Sequence, residues 1–270
     1  MNVTDFDYVR AYVRDQAAIV IEPGKEYLVE SRLQTLARKE NIVSIEALVQ
    51  EMRADPNHGL HRKVLDAMTT NETSFFRDLH PFEVLRKTIL PELIAKRGAD
   101  RQLNIWCGAA STGQESYSVM LLIAEHFPDL LQWQLSFTAT DLCKEVLARA
   151  RSGRFSQLEV NRGLPAALLI KHFTRQGDDW EFSDALRRRV DFKEMNLIKD
   201  WLLMPPLDIV FMRNVLIYFD VETKRVILGK IRAMLRPGGY LFLGGAETTL
   251  NLDDAFERVA FEKTTCYRVR

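Results

Sequence analysis

The sequence predicts an α/β fold: a mostly parallel sheet covered by helices, preceded by an all-helical segment. Three observations predict it. Up to about residue 78, apolar residues recur only at helical spacing. From about residue 80, strand-like and helix-like segments alternate, as in a parallel sheet with crossover helices. Between about 153 and 192 a hairpin pattern breaks that alternation and marks an insertion.

In the first segment Phe6, Val9, Tyr12 and Val13 form a helical stripe. Pro23 and Gly24 punctuate the chain, and a second helix is expected over 25–39 with Val29, Leu33 and Leu36 on its apolar face. Helices over 44–52 and 60–68 flank the breaker Asp55-Pro56-Asn57. The second segment opens with a long helix, 81–96, followed by a strand at 103–107 and a helix at 115–127. A strand at 135–139 and a helix at 144–152 continue the alternation. A hairpin turns at 176–179, and strands at 192–196 and 207–212 resume the sheet. A helix at 221–235 and a strand at 240–244 follow, with a last strand at about 261–269 expected antiparallel to it.

The chain has 270 residues, with 37 Lys+Arg balanced by 37 Asp+Glu. A net charge of zero argues against a protein that mainly coats nucleic acid or anionic lipid, while leaving room for a local charged face. Cys107, Cys143 and Cys266 are odd in number and dispersed, which fits reduced thiols in a cytoplasmic protein. The first residues carry acids and no apolar stretch, so no signal peptide is expected. No apolar run approaches the ~18 residues of a membrane span. Lys25, Arg32 and Lys39 recur every seven residues and line up along one helix. That stripe reads either as a solvated face or as a docking face for an acidic partner. His58 and His61 have a spacing suited to two metal ligands, but no third ligand completes a site, and no metal is expected.

The loop after the first strand contains Gly108 and Gly113 and continues into Gln114 and Glu115. A phosphate loop needs Lys and Ser/Thr where Gln114 and Glu115 stand, and a carboxylate there repels a triphosphate. Glu115 attracts a cation instead, such as an amino acid's ammonium group. Asp141, just past the next strand, suits a ribose diol. It can equally cap the following helix. A ribose without phosphates plus a cationic amino acid end describes S-adenosylmethionine.

Longer motifs carry more. The run TNETSFFRD at 70–78 resembles the signature of CheR-type chemotaxis receptor methyltransferases. The resemblance continues through WCGAASTGQE at 106–115, Asp141, Asn196-Leu197, FMRNVLIYF at 211–219 and LRPGG at 235–239, in order over nearly the whole chain. It implies a helical N-terminal domain (1–78) for receptor docking. It implies a Rossmann-like class I S-adenosylmethionine-dependent methyltransferase domain (79–270) with a small antiparallel β subdomain inserted at about 153–192. It further implies O-methylation of specific chemoreceptor glutamates to γ-methyl esters, with S-adenosylhomocysteine as the other product. The expected location is the cytoplasm, with recruitment to receptor arrays.

The same resemblance implies roles residue by residue. Asn71, Thr73 and Arg77 line the cofactor's methionine end and the reacting centre, with Gly108 in the cofactor loop. Glu115 meets the ammonium and Asp141 the ribose. Asn196 and Leu197 form the adenine pocket, and Arg213 and Asn214 line the cofactor. Arg77 and Tyr218 are the candidate catalytic residues. Phe75 and Phe76 read as packing. Lys25, Arg32, Arg38 and Lys39 are the candidate docking residues for the helical cytoplasmic region of methyl-accepting receptors. The turn between Phe173 and Trp180 is short for the family, so strong binding of a receptor C-terminal tether peptide is not expected. Two other readings compete: a catalytically weak S-adenosylmethionine-binding sensor or scaffold in a signalling array, and a methyltransferase of nucleic acid or a small molecule. Intact Asn71, Thr73, Arg77 and Tyr218 disfavour the first. Neutral charge and the lack of an amino-methylation motif disfavour the second.

Overall fold

A computed structural model describes residues 1–55 and 59–269. The chain divides into two compact units, Met1–Thr70 with Tyr218–Thr223, and Asn71–Ile217 with Lys224–Arg270. The division falls at Thr70/Asn71, eight residues before the boundary read from the sequence, because 71–78 packs with the second unit. Pro56, Asn57 and His58, including one member of the histidine pair, lie outside the described residues.

The first unit contains helices α1 (Val3–Ala17), α2 (Glu26–Lys39), α3 (Ile45–Ala54) and α4 (Leu60–Met68). Asn2 caps α1 by accepting from the Asp5 amide at 2.8 Å, and Ser44 caps α3 through the Ala47 amide at 3.1 Å. Val9, Val13, Val29, Leu33, Leu48, Val49, Met52 and Val64 meet in its core. Arg32 sits on that core's rim: Nη1 donates to the Met68 carbonyl at 2.6 Å and Nη2 to Thr70 Oγ1 at 2.8 Å. It ties α2 to the end of α4 rather than standing in a solvated stripe.

The second unit opens with α5 (His80–Val84), a π turn (Leu85–Ile89) and α6 (Leu90–Arg97). The sequence reads as one regular helix there. Pro91 lacks an amide hydrogen and its ring crowds the carbonyl four residues back, and the π turn just before it relieves that clash. Then come β1 (Gln102–Gly108), α7 (Gln114–His126), β2 (Gln134–Asp141) and α8 (Lys144–Ser152). The insertion holds β3 (Arg154–Ser156), α9 (Gln157–Asn161), α10 (Ala166–His172), β4 (Phe173–Gln176), β5 (Asp179–Phe182) and α11 (Asp184–Arg187). The chain ends with β6 (Val190–Glu194), β7 (Leu207–Met212), α12 (Val221–Met234), β8 (Leu235–Leu243), β9 (Phe256–Phe261) and β10 (Thr264–Val269).

The large sheet runs β6-β2-β1-β7-β8-β10-β9. Its first five strands are parallel, and β10 is antiparallel to both β8 and β9. The expected antiparallel end is present, and β9 adds an edge strand that the sequence reading missed. The small sheet, β3-β5-β4, is antiparallel and lies within 154–182, so β6 returns to the main sheet inside the span read as the insert. An aromatic cluster joins the two sheets. Tyr117 of α7 packs on Phe182 at 4.5 Å and on Phe192 at 5.6 Å between ring centroids, and its hydroxyl donates to the Ala150 carbonyl. Phe75 packs edge-on against Phe155 at 5.0 Å and Phe173 at 5.7 Å, so this motif residue is core, as its chemistry suggests.

Candidate active site

β1 has β2 on one side and β7 on the other, so the chain direction of the crossovers diverges between β1 and β7. A parallel sheet opens a crevice outside the carboxyl ends of its strands at such a point. The loop leaving β1 is wound tightly there: Ala109, Ser111 and Gly113 have φ of 54°, 50° and 92°. Left-handed non-glycine residues cost roughly 1–2 kcal/mol each and persist only where surroundings hold them. Here the Ala110 amide donates to the Thr140 carbonyl and the Gly113 amide to the Ala110 carbonyl, each at 2.9 Å. Gly113 has to be glycine, because a Cβ would stand 3.2 Å from Ala150, Phe192 and Tyr117 in addition to the φ strain.

Glu115, in the first turn of α7, and Arg213, just past β7, meet across this crevice. Arg213 Nη1 donates to Glu115 Oε2 at 2.6 Å. Its Nη2 donates to Asp78 Oδ2 at 2.7 Å and to the Arg77 carbonyl at 3.0 Å. The Cys107 thiol donates to Glu115 Oε1 at 3.1 Å. Burial first, and then the Glu115 charge, push the Cys107 thiol well above its ordinary value.

Asp141 stands at the end of β2, 7% exposed. Its Oδ2 accepts from the Ser111 amide at 2.8 Å and its Oδ1 from the Cys143 amide at 3.0 Å, so it braces the β1 loop and turns the chain toward α8. Asn196 and Leu197 follow β6, the neighbouring strand. Asn196 Oδ1 accepts from the Ile198 amide at 3.1 Å, a local turn, and the Trp201 indole donates to the Leu197 carbonyl at 3.0 Å.

The 71–78 segment folds back on the same loops. Ser111 Oγ donates to the Asn71 carbonyl at 2.7 Å, and the Phe76 amide donates to Ser118 Oγ at 2.8 Å. Phe76, Asp78 and Leu79 are left-handed, at φ of 47°, 65° and 45°. Gly163 lies against this segment: at φ 88°, an added methyl there would overlap the Phe75 carbonyl oxygen. Arg77 Nη1 donates to the Glu72 carbonyl at 3.1 Å.

Asn71, Thr73, Arg77, Gly108, Glu115, Asp141, Asn196, Leu197, Arg213 and Asn214 therefore all lie on four consecutive strand ends of the second unit or on the segment covering them. Tyr218 groups with the first unit, half-buried, where its carbonyl accepts from the Val20 amide at 2.9 Å. Of the candidate docking residues, Lys25 pairs with Glu22 at 3.0 Å, Arg32 is engaged internally, and Arg38 and Lys39 are exposed. Sequence reasoning missed three residues that shape the crevice: Asp78, Ser111 and Glu247. Asp78 and Ser111 sit inside motifs already noticed, and Glu247 follows two glycines just past a parallel strand, where ligand sites gather. A cleft of about 910 Å3 lined by Asp78, His80, Arg213, Gly244, Glu247 and residues of β9 and β10 holds Arg213 alone of the sequence-predicted cofactor residues. Among the described residues no cluster of His, Cys, Asp or Glu could hold a metal ion.

The donor set suits a ligand with a cationic end and a ribose. Two carboxylates, Asp141 at the end of β2 and Glu115 in the first turn of α7, follow adjacent strands, and no lysine enters the β1 loop to meet a phosphate. The family model described as CheR methyltransferase, SAM binding domain, matches residues 71–265, and CheR methyltransferase, all-alpha domain, matches residues 4–69. Chemotaxis protein methyltransferase 1 of Pseudomonas aeruginosa is 41% identical over 270 residues, covering 98% of each chain. Chemotaxis protein methyltransferase Cher2 of Pseudomonas putida is 38% identical over 270 residues with the same coverage. The chemotaxis protein methyltransferase of Vibrio parahaemolyticus is 38% identical over 276 residues, covering 100% of this chain and 99% of the relative.

Proposed function

This chain belongs to the CheR methyltransferase family, and from that premise we propose that it converts specific chemoreceptor glutamates to γ-methyl esters. The chain carries the family's S-adenosylmethionine-binding domain. The cofactor supplies an electrophilic methyl group on a sulfonium. Glu115 and Asp141 are proposed to hold its ammonium and ribose ends. Asn71, Thr73 and Gly108 line its methionine side, Asn196 and Leu197 its adenine, and Arg213 and Asn214 close the crevice.

The observation that carries the substrate proposal is the contrast between two arginines. Arg213 is locked between Glu115 and Asp78. Arg77 donates to the Glu72 carbonyl, and the Glu72 carboxylate, whose charge it also feels, is salt-bridged to Arg162 at 2.8 Å. A guanidinium with no salt-bridged carboxylate of its own among the described residues suits an incoming carboxylate through its planar fork. A glutamate carboxylate, which ordinarily titrates at about pH 4.3, is ionised at neutral pH and needs no base to activate it. Catalysis then comes from aligning the carboxylate with the methyl group and keeping water out. Lys25, Arg38 and Lys39 are proposed to meet the receptor's helical cytoplasmic region in receptor arrays, with no strong grip on a tether peptide. No helix among the described residues is long and apolar enough to cross a membrane.

The test is transfer of labelled methyl from S-adenosylmethionine to receptor-enriched membranes, RNA and DNA in parallel. Base-labile label on receptor alone is expected. Label on nucleic acid alone would overturn the reading. Nothing favours the sensor or scaffold reading, since Asn71, Thr73, Arg77 and Tyr218 are all present in the sequence.

A further inference from the structure

Glu247 is a carboxylate at the exits of β7 and β8 that no motif announces. Its Oε2 accepts from the amides of Asn214 at 2.8 Å and Gly244 at 2.6 Å, and its Oε1 from those of Val215 at 2.9 Å and Ile217 at 3.3 Å. β7 and β8 are parallel neighbours, with Met212 opposite Leu243. Gly244 is the first residue past β8, and Asn214, Val215 and Ile217 lie two to five residues past the end of β7, where ladder partners run out. One side chain replaces the missing acceptors for both exits.

Two further features depend on that clamp. Asn214 is left-handed at φ 58°. Gly244 has no room for a side chain: a Cβ would stand 2.6 Å from Asn214 Nδ2, 2.8 Å from Glu247 Oε2 and 2.9 Å from the Asn214 nitrogen. The Glu247–Asn214 contact closes directly over the Gly244 α-carbon.

We propose that Glu247 is a positioning residue for methyl transfer, fixing the backbone of 214–217 and thereby the place of Asn214 in the cofactor crevice. The proposal rests on the assignment of that crevice to S-adenosylmethionine, and not on the identity of the methyl acceptor. Glutamine cannot substitute, because its NH2 group would face amide donors across two of the four hydrogen bonds. Aspartate keeps the charge on a shorter stem and restores part of the clamp.

The experiment titrates the full chain calorimetrically with S-adenosylhomocysteine, as wild type, Glu247→Gln, Glu247→Asp and Gly244→Ala, alongside hydrogen exchange of 214–217. Glu247→Gln, which sets its NH2 group against two amide donors, is expected to weaken binding at least about tenfold. Exchange at 214–217 should accelerate, and Glu247→Asp should recover part of the loss. Gly244→Ala should reproduce it with the carboxylate intact, which decides the matter if Glu247→Gln fails to fold. Affinity within about twofold of wild type in folded Glu247→Gln or in Gly244→Ala would overturn the proposal, whatever happens to stability. A wild-type protein that binds S-adenosylhomocysteine but methylates no receptor would contradict the proposed substrate and leave this titration to be judged separately.

Discussion

Arg213 and Glu115 form an internal strut: Nη1 lies 2.6 Å from Oε2, joining the exit of β7 to the first turn of α7. The Arg213 side chain is 1% exposed and that of Glu115 12%. With its other amino group on Asp78 and the Arg77 carbonyl, Arg213 also anchors the segment that covers the crevice. A ligand ammonium arriving at Glu115 would share a carboxylate that already faces one cation. In the proposed reaction Arg213 holds the site's shape and substrate contact falls to Arg77.

Removing one partner of a buried pair leaves the other uncompensated, which typically costs about 3–5 kcal/mol. Arg213→Met is expected to lose about 3 kcal/mol in urea unfolding and to loosen residues 77–79. A loss below about 1 kcal/mol, the scale of an exposed pair, would show that the strut is not structural.

Cys107 and Cys266 have thiols pushed up by burial, Cys266 to about 12, and Cys143 is buried too. The thiolate is the reactive species, so none should react in the folded protein. Treatment with iodoacetamide at about pH 8, read by intact mass, is expected to leave all three unmodified until denaturant is added. Fast native labelling of Cys107 would contradict the described packing beside Glu115.

Gly163→Ala tests the seat of the 71–78 segment. The obstacle is the Phe75 backbone carbonyl, which cannot swing aside like the tip of a long side chain. The left-handed φ adds strain of roughly 1–2 kcal/mol. The variant is expected to lose about 2 kcal/mol or more and to bind S-adenosylhomocysteine more weakly. Unchanged affinity and stability would mean that the segment is not held there.

The parts of this fold that were legible are those where burial writes a pattern. β1, β2, β7 and β8 read as strands because their apolar runs are buried on both faces. β9 was not legible: Phe256 is buried but Glu257 and Arg258 are exposed, as befits an edge strand with little apolar signal. The 71–78 segment has no periodicity, so nothing local assigned it to one unit or the other. The carboxylates Glu115 and Asp141 could be placed because each follows a readable strand. Glu247 acts through backbone amides, which any sequence supplies, so its role left no trace in residue types. Arg32 looked like part of a surface stripe because spacing gives the helix face, not the distance to Met68 and Thr70.

Glu125 of α7 is bound by Lys171 at 2.7 Å and His172 at 2.6 Å on α10 of the insertion. The hydrogen bonds from Lys171 and then His172 hold its carboxyl below the ordinary 4.5. The folded carboxyl is harder to protonate than the unfolded one. The stabilisation is therefore present above about pH 4.5 and fades as pH falls below it through the folded value. The stability gap between wild type and Glu125→Gln, from urea midpoints between about pH 6 and about pH 3.5, is expected to narrow as pH drops. A gap that is constant or widens with acid would contradict the pairing.

The most direct measurement of the central claim is where the methyl group ends up. Receptor cytoplasmic fragments incubated with the protein and S-adenosylmethionine would be digested and sequenced by tandem mass spectrometry, before and after mild base. Methyl groups on glutamate side chains that vanish with base are expected. Arg77→Ala should cut turnover at saturating cofactor by about a hundredfold or more, the scale of losing a positioning contact, while keeping most of its affinity for S-adenosylhomocysteine. Base-stable methylation, methylation away from glutamate, or normal turnover by Arg77→Ala with cofactor affinity lost would contradict the account.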